Sequence, residues 1–254
     1  MIQDIQAPPA GVQRELTLSD LRAALIAGWD DFRARPAFGL FFGGIYVVSG
    51  IFLYYALLVY GQVIWLVPAA AGFPLLAPFT AVGLYEVSRR REAGLPIGWG
   101  AVLGALRGRG DEQLVMMGGI LFVGFSFWIG IAHGIFAIFM AESGIGAESV
   151  GLLGTSQGIA MLLVGGMVGA IIAFGFYVVT VISLPMLVDR NVDFITAVIA
   201  SVSTFRGSKA VMLIWAAMIA LGLTVAMLPL FLGLLVVLPV LGHATWHLYK
   251  RTGV

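Results

Sequence analysis

Long uncharged stretches alternate along the chain with short polar segments, and this pattern predicts membrane-spanning helices. A bilayer core of about 30 Å requires roughly 20 apolar residues in helical conformation. Six spans are predicted: Ala37–Tyr60, Val63–Tyr85, Leu114–Met140, Gly158–Val188, Val211–Met227 and Leu230–Tyr249. The last two come from one uncharged run that Pro229 divides. A single long final helix is the alternative, and it would leave five spans.

The basic residues are distributed unevenly between the two sides that six spans define. The 14 Lys and Arg residues form four groups that all fall on one side: Arg14, Arg22, Arg33 and Arg35; Arg89, Arg90, Arg91, Arg107 and Arg109; Arg190, Arg206 and Lys209; Lys250 and Arg251. The connections on the other side hold Glu142 and Glu148 but no basic residue. The positive-inside rule therefore predicts cytoplasmic N- and C-termini. Five spans would place the last basic pair outside, which disfavours that alternative.

The composition supports an all-α, polytopic membrane protein. Hydrophobic residues make up 60% of the chain, charged residues 11%, and the mean hydropathy is +1.02. A soluble domain carries roughly a quarter charged residues. The chain has no cysteine, which excludes disulfides, thiolate metal sites and cysteine nucleophiles.

Three segments that precede the first, third and fifth spans align without gaps and suggest an internal repeat. The anchors are Phe32-Arg33, Leu106-Arg107 and Phe205-Arg206. Apolar residues at helical steps before each anchor predict amphipathic helices in the headgroup layer. In the first copy the predicted apolar stripe is Leu21, Leu25 and Trp29, and Asp20 and Asp31 lie off this stripe. The predicted N-cap is Ser19 or Asp20 in the first copy and Asp193 in the third. A general tendency of cytoplasmic loops to be basic and amphipathic is the alternative explanation.

These observations predict the domain organisation. Residues 1–16 form a flexible cytoplasmic tail, and 17–254 form one membrane domain with repeats at about 17–91, 92–190 and 191–254. Each repeat is an interfacial amphipathic helix followed by a two-span hairpin. Such parallel repeats are related by an axis along the membrane normal.

Histidines are the main candidates for polar chemistry inside the membrane. His133 lies near the middle of the third span, where it either lines a pore or ligand site or bonds a helix carbonyl or Ser126. His243 and His247 share one helix face, so they are weak metal-ligand candidates. A polar cluster that joins them to Glu86 and to Asp189–Arg190 at the cytoplasmic end is the more modest hypothesis.

The second span contains Pro68, Pro74 and Pro78, and three prolines in so short a segment must bend or unwind a helix. The freed carbonyls need other partners. The bend is either part of a substrate site or a fixed structural kink.

Four motifs resemble those of a known family: Leu18 through Trp29–Phe32 to Phe38–Gly44; Gly72–Pro78 with Gly83–Arg90; Leu184–Arg190 with Val192–Phe194; and Leu238–Tyr249. The chain resembles a proteobacterial family of integral membrane proteins classified only as a domain of unknown function. The resemblance implies a bacterial inner-membrane protein and brings no established activity. Some members carry automatic labels that link them to cytochrome c oxidase subunit I. This chain has 3 histidines in all, too few to ligate the haems and copper of such a subunit.

The sequence leaves two main functional hypotheses. The first is a non-enzymatic accessory, assembly or scaffolding protein, because ionisable residues are nearly absent from the predicted spans. The second is a channel or transporter for a small neutral or hydrophobic solute, suggested by the repeat and the proline-rich span. An enzyme acting on lipid is a third and weaker alternative. We expect no cofactor and no nucleic-acid partner; the expected partners are the bilayer and other membrane proteins, such as respiratory or photosynthetic complexes.

Overall fold

The computed structural model describes residues 14–61, 77–105, 113–140 and 154–254, and the regular elements within them are all helices. This confirms the predicted all-α class. The helices are α1 (Leu18–Ala34), α2 (Pro36–Val59), α3 (Ala77–Glu92), α4 (Trp99–Gly104), α5 (Gln113–Met140), α6 (Ser156–Thr180), α7 (Ser183–Asp189), α8 (Phe194–Gly207), α9 (Lys209–Met227) and α10 (Leu234–Thr252).

Among the described residues, four helices are long and apolar enough to cross a membrane. They are Pro36–Val59, Gln113–Phe139, Ser156–Asp189 and Lys209–Met227, and they coincide with the predicted first, third, fourth and fifth spans. The predicted second span is described only from Ala77 onward. The predicted sixth span corresponds to α10, which falls short of the same apolarity because its second half carries His243, His247, Lys250 and Arg251.

Helix α10 lies inside the bundle, packed against α1, α2, α3 and α9. Its Trp246, Leu248 and Tyr249 side chains are fully buried. Glycines allow the neighbouring backbones to come close: a Cβ at Gly28 of α1 would lie 2.6 Å from the Ala244 nitrogen. A Cβ at Gly43 of α2 would lie 2.8 Å from the Leu234 oxygen. The polar residues of α10 are therefore sheltered by protein.

The connection between α9 and α10 confirms that Pro229 divides the last apolar run. It is a tight turn in which Leu230 and Phe231 have φ values of 51° and 66°. Non-glycine residues rarely adopt this left-handed conformation. The Phe231 ring is buried against α2, where a Cβ at Gly50 would lie 2.7 Å from the ring. This packing stabilises an otherwise unfavourable turn.

Helix α1 is amphipathic as predicted, but only part of its predicted apolar stripe is buried: Leu21 is buried and Leu25 packs against the core. The buried residues follow Leu21, Ala24, Gly28 and Asp31, whereas Trp29 is 43% exposed. The small residues Ala24 and Gly28 permit closer contact with α10 than a stripe of large residues would. Asp20 and Asp31, which lie off the predicted stripe, are consequently buried.

The helix caps differ in part from those predicted. Thr17 is the N-cap of α1, and its side chain forms a capping box with Asp20, which occupies the third helical position. Asp193 caps α8 as predicted, accepting a hydrogen bond from the Thr196 nitrogen at 2.9 Å. Arg14–Leu16, at the end of the predicted tail, are fixed: Leu16 is buried, and its nitrogen donates to Ser208 Oγ at 2.9 Å.

Contacts between helix ends gather the basic residues at one end of the bundle. Lys250 Nζ lies 3.1 Å from Asp189 Oδ2, which joins the ends of α10 and α7. The Phe194 nitrogen donates to Gln113 Oε1 at 3.0 Å, which joins the starts of α8 and α5. The Arg14 nitrogen donates to the Thr252 oxygen at 3.2 Å. We refer to this end, which carries Arg14, Asp189 and Lys250, as the basic end.

Candidate functional site

A buried carboxylate, Asp31, is the centre of a polar cluster at the basic end. Its side chain is 1% exposed and lies between α1, α3 and α10. Ser88 Oγ donates to Asp31 Oδ2 at 2.5 Å, and His247 Nε2 donates to the same oxygen at 2.8 Å. Arg91 forms a short ion pair with the other carboxylate oxygen. The cluster therefore ties three helices together through one residue.

His247 lies between two carboxylates. Its Nε2 faces Asp31, and its Nδ1 lies 3.1 Å from Glu92 Oε1. Ionised carboxylates only accept hydrogen bonds, so this geometry favours an imidazolium with a proton on each nitrogen. His247 then carries the charge that compensates the buried Asp31.

His243 is fully buried and reaches the cluster through Ser88. The distance between His243 Nδ1 and Ser88 Oγ is 2.8 Å. Because the Ser88 hydroxyl hydrogen goes to Asp31, Nδ1 must carry hydrogen and donate to Ser88. Its Nε2 has no hydrogen-bond partner of acceptable geometry in the described part of the chain.

Two acidic groups outside the spans show how the cluster shifts ionisation. Burial alone would raise the pKa of Asp31, but hydrogen bonds from His247 and Ser88 and the nearby positive charge lower it to about 2. Burial likewise opposes ionisation of Glu92, whereas its hydrogen bond with His247 lowers the pKa overall. Both carboxylates are therefore ionised over the whole physiological pH range.

The structure brings together only part of the predicted polar cluster. His243 and His247 do belong to it, but Glu86 instead binds Arg89 and Arg90 at 2.7 and 2.6 Å. Glu86 precedes Ser88 by two positions on α3, and successive helical residues are rotated by about 100°. It therefore points away from Asp31.

Asp189 also belongs to a separate set of contacts. Tyr249 Oη donates to Asp189 Oδ2 at 2.9 Å, and Lys250 binds the same oxygen. Asp20 forms a further pair of contacts, 3.6 Å from both Arg14 and Arg251. Asp31, Asp189 and Asp20 thus form three separate sets of contacts, each between different helix ends.

The remaining predicted site residues lie apart from the cluster. His133 is on an exposed face of α5, and its Nδ1 lies 2.8 Å from the Ile129 carbonyl one turn earlier. Ser126 bonds the Phe122 carbonyl instead of His133. Pro74 lies outside the described residues, as does Pro68. Pro78 lies in the first turn described for α3, and its side chain is outside the description.

The cluster is arranged for holding charges and lacks the geometry of an activated nucleophile. Ser88 is fully buried and directs its proton to a carboxylate, while the adjacent His243 nitrogen donates to it. Nucleophilic catalysis needs a serine whose proton is taken up by a base and whose oxygen reaches substrate. No group of three His, Asp or Glu residues suited to a metal ion occurs among the described residues. His247 is occupied on both nitrogens, which leaves neither free for a metal.

Asp31, Ser88, Arg91 and Glu92 are cluster residues that the sequence interpretation missed. The spacing of Ala24, Gly28 and Asp31 places two small residues and a carboxylate on one helical face. This pattern could have indicated that Asp31 is buried. Large apolar residues on the neighbouring face outweighed it. Ser88, Arg91 and Glu92 lie at the end of a helix whose orientation depends on α10.

These features define a helical integral membrane protein whose polar groups are concentrated at one end. Residues 66–189 match the model of a family described as "Predicted integral membrane protein (DUF2189)". The chain is therefore similar, over that region, to a family of membrane proteins of unknown function. Neither the curated proteins nor the solved structures include a match to this chain.

Proposed function

We propose that the chain is a non-enzymatic scaffold or assembly protein of a bacterial inner-membrane complex, built from three two-span repeats. The observation that carries this proposal is that the charged residues at the basic end bond to one another and hold helices together. Ser88 and His247 both donate to Asp31, and this cluster joins α1, α3 and α10. The four candidate spans meanwhile present many apolar side chains outward. Such a molecule offers a stable surface for lipid and protein partners.

The packing of the three amphipathic helices supports the repeat. Helix α4, which begins the second repeat, packs on α3, the second helix of the first repeat. Helix α8, which begins the third repeat, packs on α6 and α7 at the end of the second repeat. Helix α1 packs on α10, the last helix of the third repeat. Each amphipathic helix therefore contacts the hairpin of the preceding repeat, if the third repeat is counted as preceding the first. The three repeats would form a ring closed by the first and last helices.

Backbone conformation and burial at aligned positions support the same repeat. Arg35 joins α1 to α2 with φ −140° and ψ 59°, and Ser208 joins α8 to α9 with φ −130° and ψ 43°. These two positions correspond in the predicted alignment. The buried Ala24, Gly28 and Asp31 of α1 likewise correspond to three buried residues of α8, Ala197, Ser201 and Thr204.

The proposed orientation places the basic end and both termini in the cytoplasm, with α3 and α10 completing six crossings. The natural absence of cysteine makes this simple to test. We expect a membrane-impermeant maleimide to label Tyr60→Cys and Leu228→Cys in cells with a permeabilised outer membrane. Asp30→Cys should react only after the inner membrane is opened. Labelling of Asp30→Cys before that step would overturn the proposed orientation.

The scaffold function is tested by photo-crosslinking in native membranes. A crosslinking residue at Phe127 or Leu163, both strongly exposed on α5 and α6, should capture the same partner protein. The same residue at the fully buried Trp215 is the control and should capture none. The chain should also migrate within a larger complex after mild solubilisation. Absence of both results would refute a scaffold.

A flux measurement separates this proposal from the transporter alternative. Proteoliposomes that contain the purified chain are shifted into hyperosmotic glycerol or urea, and vesicle volume is followed by light scattering. We expect the same solute entry as in protein-free liposomes. Entry that increases with the amount of folded protein would favour a channel for neutral solutes.

A further inference from the structure

The basic side chains at the basic end fall into two classes. One class is paired with acids inside the bundle, as in the Lys250–Asp189 and Arg91–Asp31 contacts. The other class is exposed and has neither an ion pair nor a side-chain hydrogen bond with any described residue: Arg22, Arg33, Arg35, Arg206 and Lys209. Arg190 is set apart, because it is exposed but interacts with the Tyr249 side chain. All of the second class lie on α1, α8 or the starts of the spans that follow them. Their charge is therefore available to a partner outside the chain.

Two corners of the fold concentrate this free charge. At the first, Arg33 lies in the last turn of α1 and Arg35 precedes α2; at the second, Arg206 lies in the last turn of α8 and Lys209 begins α9. The similar backbone angles described above bend the chain in the same way at both corners. Asp30, one turn before Arg33, is exposed and forms no ion pair with these cations in the described structure. Each corner thus presents two positive charges just before a membrane span.

An exposed apolar stripe descends from each corner. On α2 it includes Phe41, Val48 and Phe52, which are 42%, 69% and 71% exposed. On α9 the aligned positions Ile214, Leu221 and Val225 are 42%, 66% and 62% exposed. The eleven helical rises from the first to the last residue of each stripe span about 16 Å, close to the ~15 Å thickness of one leaflet of the hydrocarbon core. The stripe is as long as an acyl chain in one leaflet.

We infer that each corner binds one anionic phospholipid, with its phosphate at the paired cations and an acyl chain along the stripe. Charge complementarity favours an anionic over a zwitterionic headgroup, because each corner carries two uncompensated positive charges. The apolar stripe favours a lipid over a soluble anion. The second repeat has its equivalent corner outside the described residues, so the inference concerns the first and third repeats.

The test uses the purified full-length chain in mild detergent and counts bound phosphatidylglycerol by native mass spectrometry. Wild type should retain two phosphatidylglycerol molecules more tightly than phosphatidylcholine. Arg33→Gln with Arg35→Gln should lose one, Arg206→Gln with Lys209→Gln should lose the other, and the fourfold variant should lose both. At about 1 kcal/mol for each cation near an anionic surface, affinity at a corner should fall roughly 30-fold.

The matched control is Arg14→Gln with Lys250→Gln. It removes the same charge, but from side chains that the structure pairs with acids. This variant should still bind two phosphatidylglycerol molecules. The affinity of the wild-type chain for phosphatidylglycerol should also fall when salt is added, and this measurement requires no substitution. Equal retention of both lipids by wild type, or undiminished binding by the fourfold variant, would overturn the inference.

Inorganic phosphate and glycerol phosphate distinguish a lipid site from an anion site. Neither should displace phosphatidylglycerol at concentrations comparable to that of the lipid, because neither can occupy the stripe. Displacement by glycerol phosphate alone would overturn the assignment to a lipid. The inference does not depend on the scaffold role, since crosslinking to a protein partner is a separate measurement.

Discussion

Neighbouring glycines on α2 provide a sharp test of the packing of α10 inside the bundle. Gly43 faces α10 so closely that a Cβ would lie 2.8 Å from the Leu234 oxygen and 3.0 Å from Leu235 Cα. Gly44, the next residue, has nothing within 4 Å of its Cβ position. The same substitution at these two positions therefore differs only in which face of α2 receives the methyl group.

Gly43→Ala should destabilise the fold, and Gly44→Ala should not. The new methyl group meets backbone atoms, which cannot rotate away, so α2 and α10 must separate by several tenths of an ångström. Overpacking of this kind typically costs 1–3 kcal/mol, or about 2 kcal/mol here. The higher helix propensity of alanine offsets less than ~1 kcal/mol and applies at both positions. We expect the two variants to differ in unfolding free energy by about 2 kcal/mol.

Reversible unfolding in mixed detergent and SDS micelles measures this difference, with thermal melting as a second method. At roughly 2–4 °C per kcal/mol for a chain of this size, Gly43→Ala should melt about 5 °C or more below Gly44→Ala. Wild type should lie near Gly44→Ala. If both variants unfolded together, α10 would not contact α2 as described, and its protected position inside the bundle would be refuted.

Four further predictions concern the cluster and its support. Asp31→Asn should cost about 3 kcal/mol, because it leaves the largely buried His247 without its anion; SDS titration measures this loss. Since the folded pKa of Asp31 is lowered to about 2 from 3.8, its contribution is complete above pH 4 and is lost as pH falls towards 2, a dependence that Asp31→Asn should flatten. His247→Ala should lower the melting temperature in detergent, and an unchanged value would argue against a structural role. Gly28→Ala, which meets the Ala244 backbone, should loosen α1 and increase proteolysis between α1 and α2. Leu230→Gly should stabilise the chain by about 1 kcal/mol by relieving its positive φ, and a lower melting temperature would contradict this.

The parts of the fold that were predictable depend on local sequence. Hydropathy located α2, α5, α6 and α9, because a lipid-facing helix must be apolar along its whole length. Pro229 marked the turn before α10, since proline cannot continue a helix without losing a hydrogen bond. The spacing of His243 and His247 placed both on one face, and both do enter the same cluster.

The cluster itself was less accessible, because it depends on distant contacts. Which face of α1 is buried is decided by α10, and small residues allowed the closer approach. Asp31 appeared to belong to a solvated face because its partner His247 comes 216 positions later. Glu86 was predicted to belong to the cluster because its position in the sequence puts it at the same end of the bundle. The direction of its side chain depends on how α3 is rotated about its axis, which the sequence does not show.

The docking of α1 on α10 has a consequence for how the protein is made. The ribosome produces α1 well before α10, and the contact between Asp31 and His247 joins residues 216 positions apart. At typical rates of about 5–20 residues per second, α1 waits roughly ten to forty seconds for its partner. During that interval its carboxylate-bearing face is uncovered. A chain interrupted before α10 would keep this face uncovered.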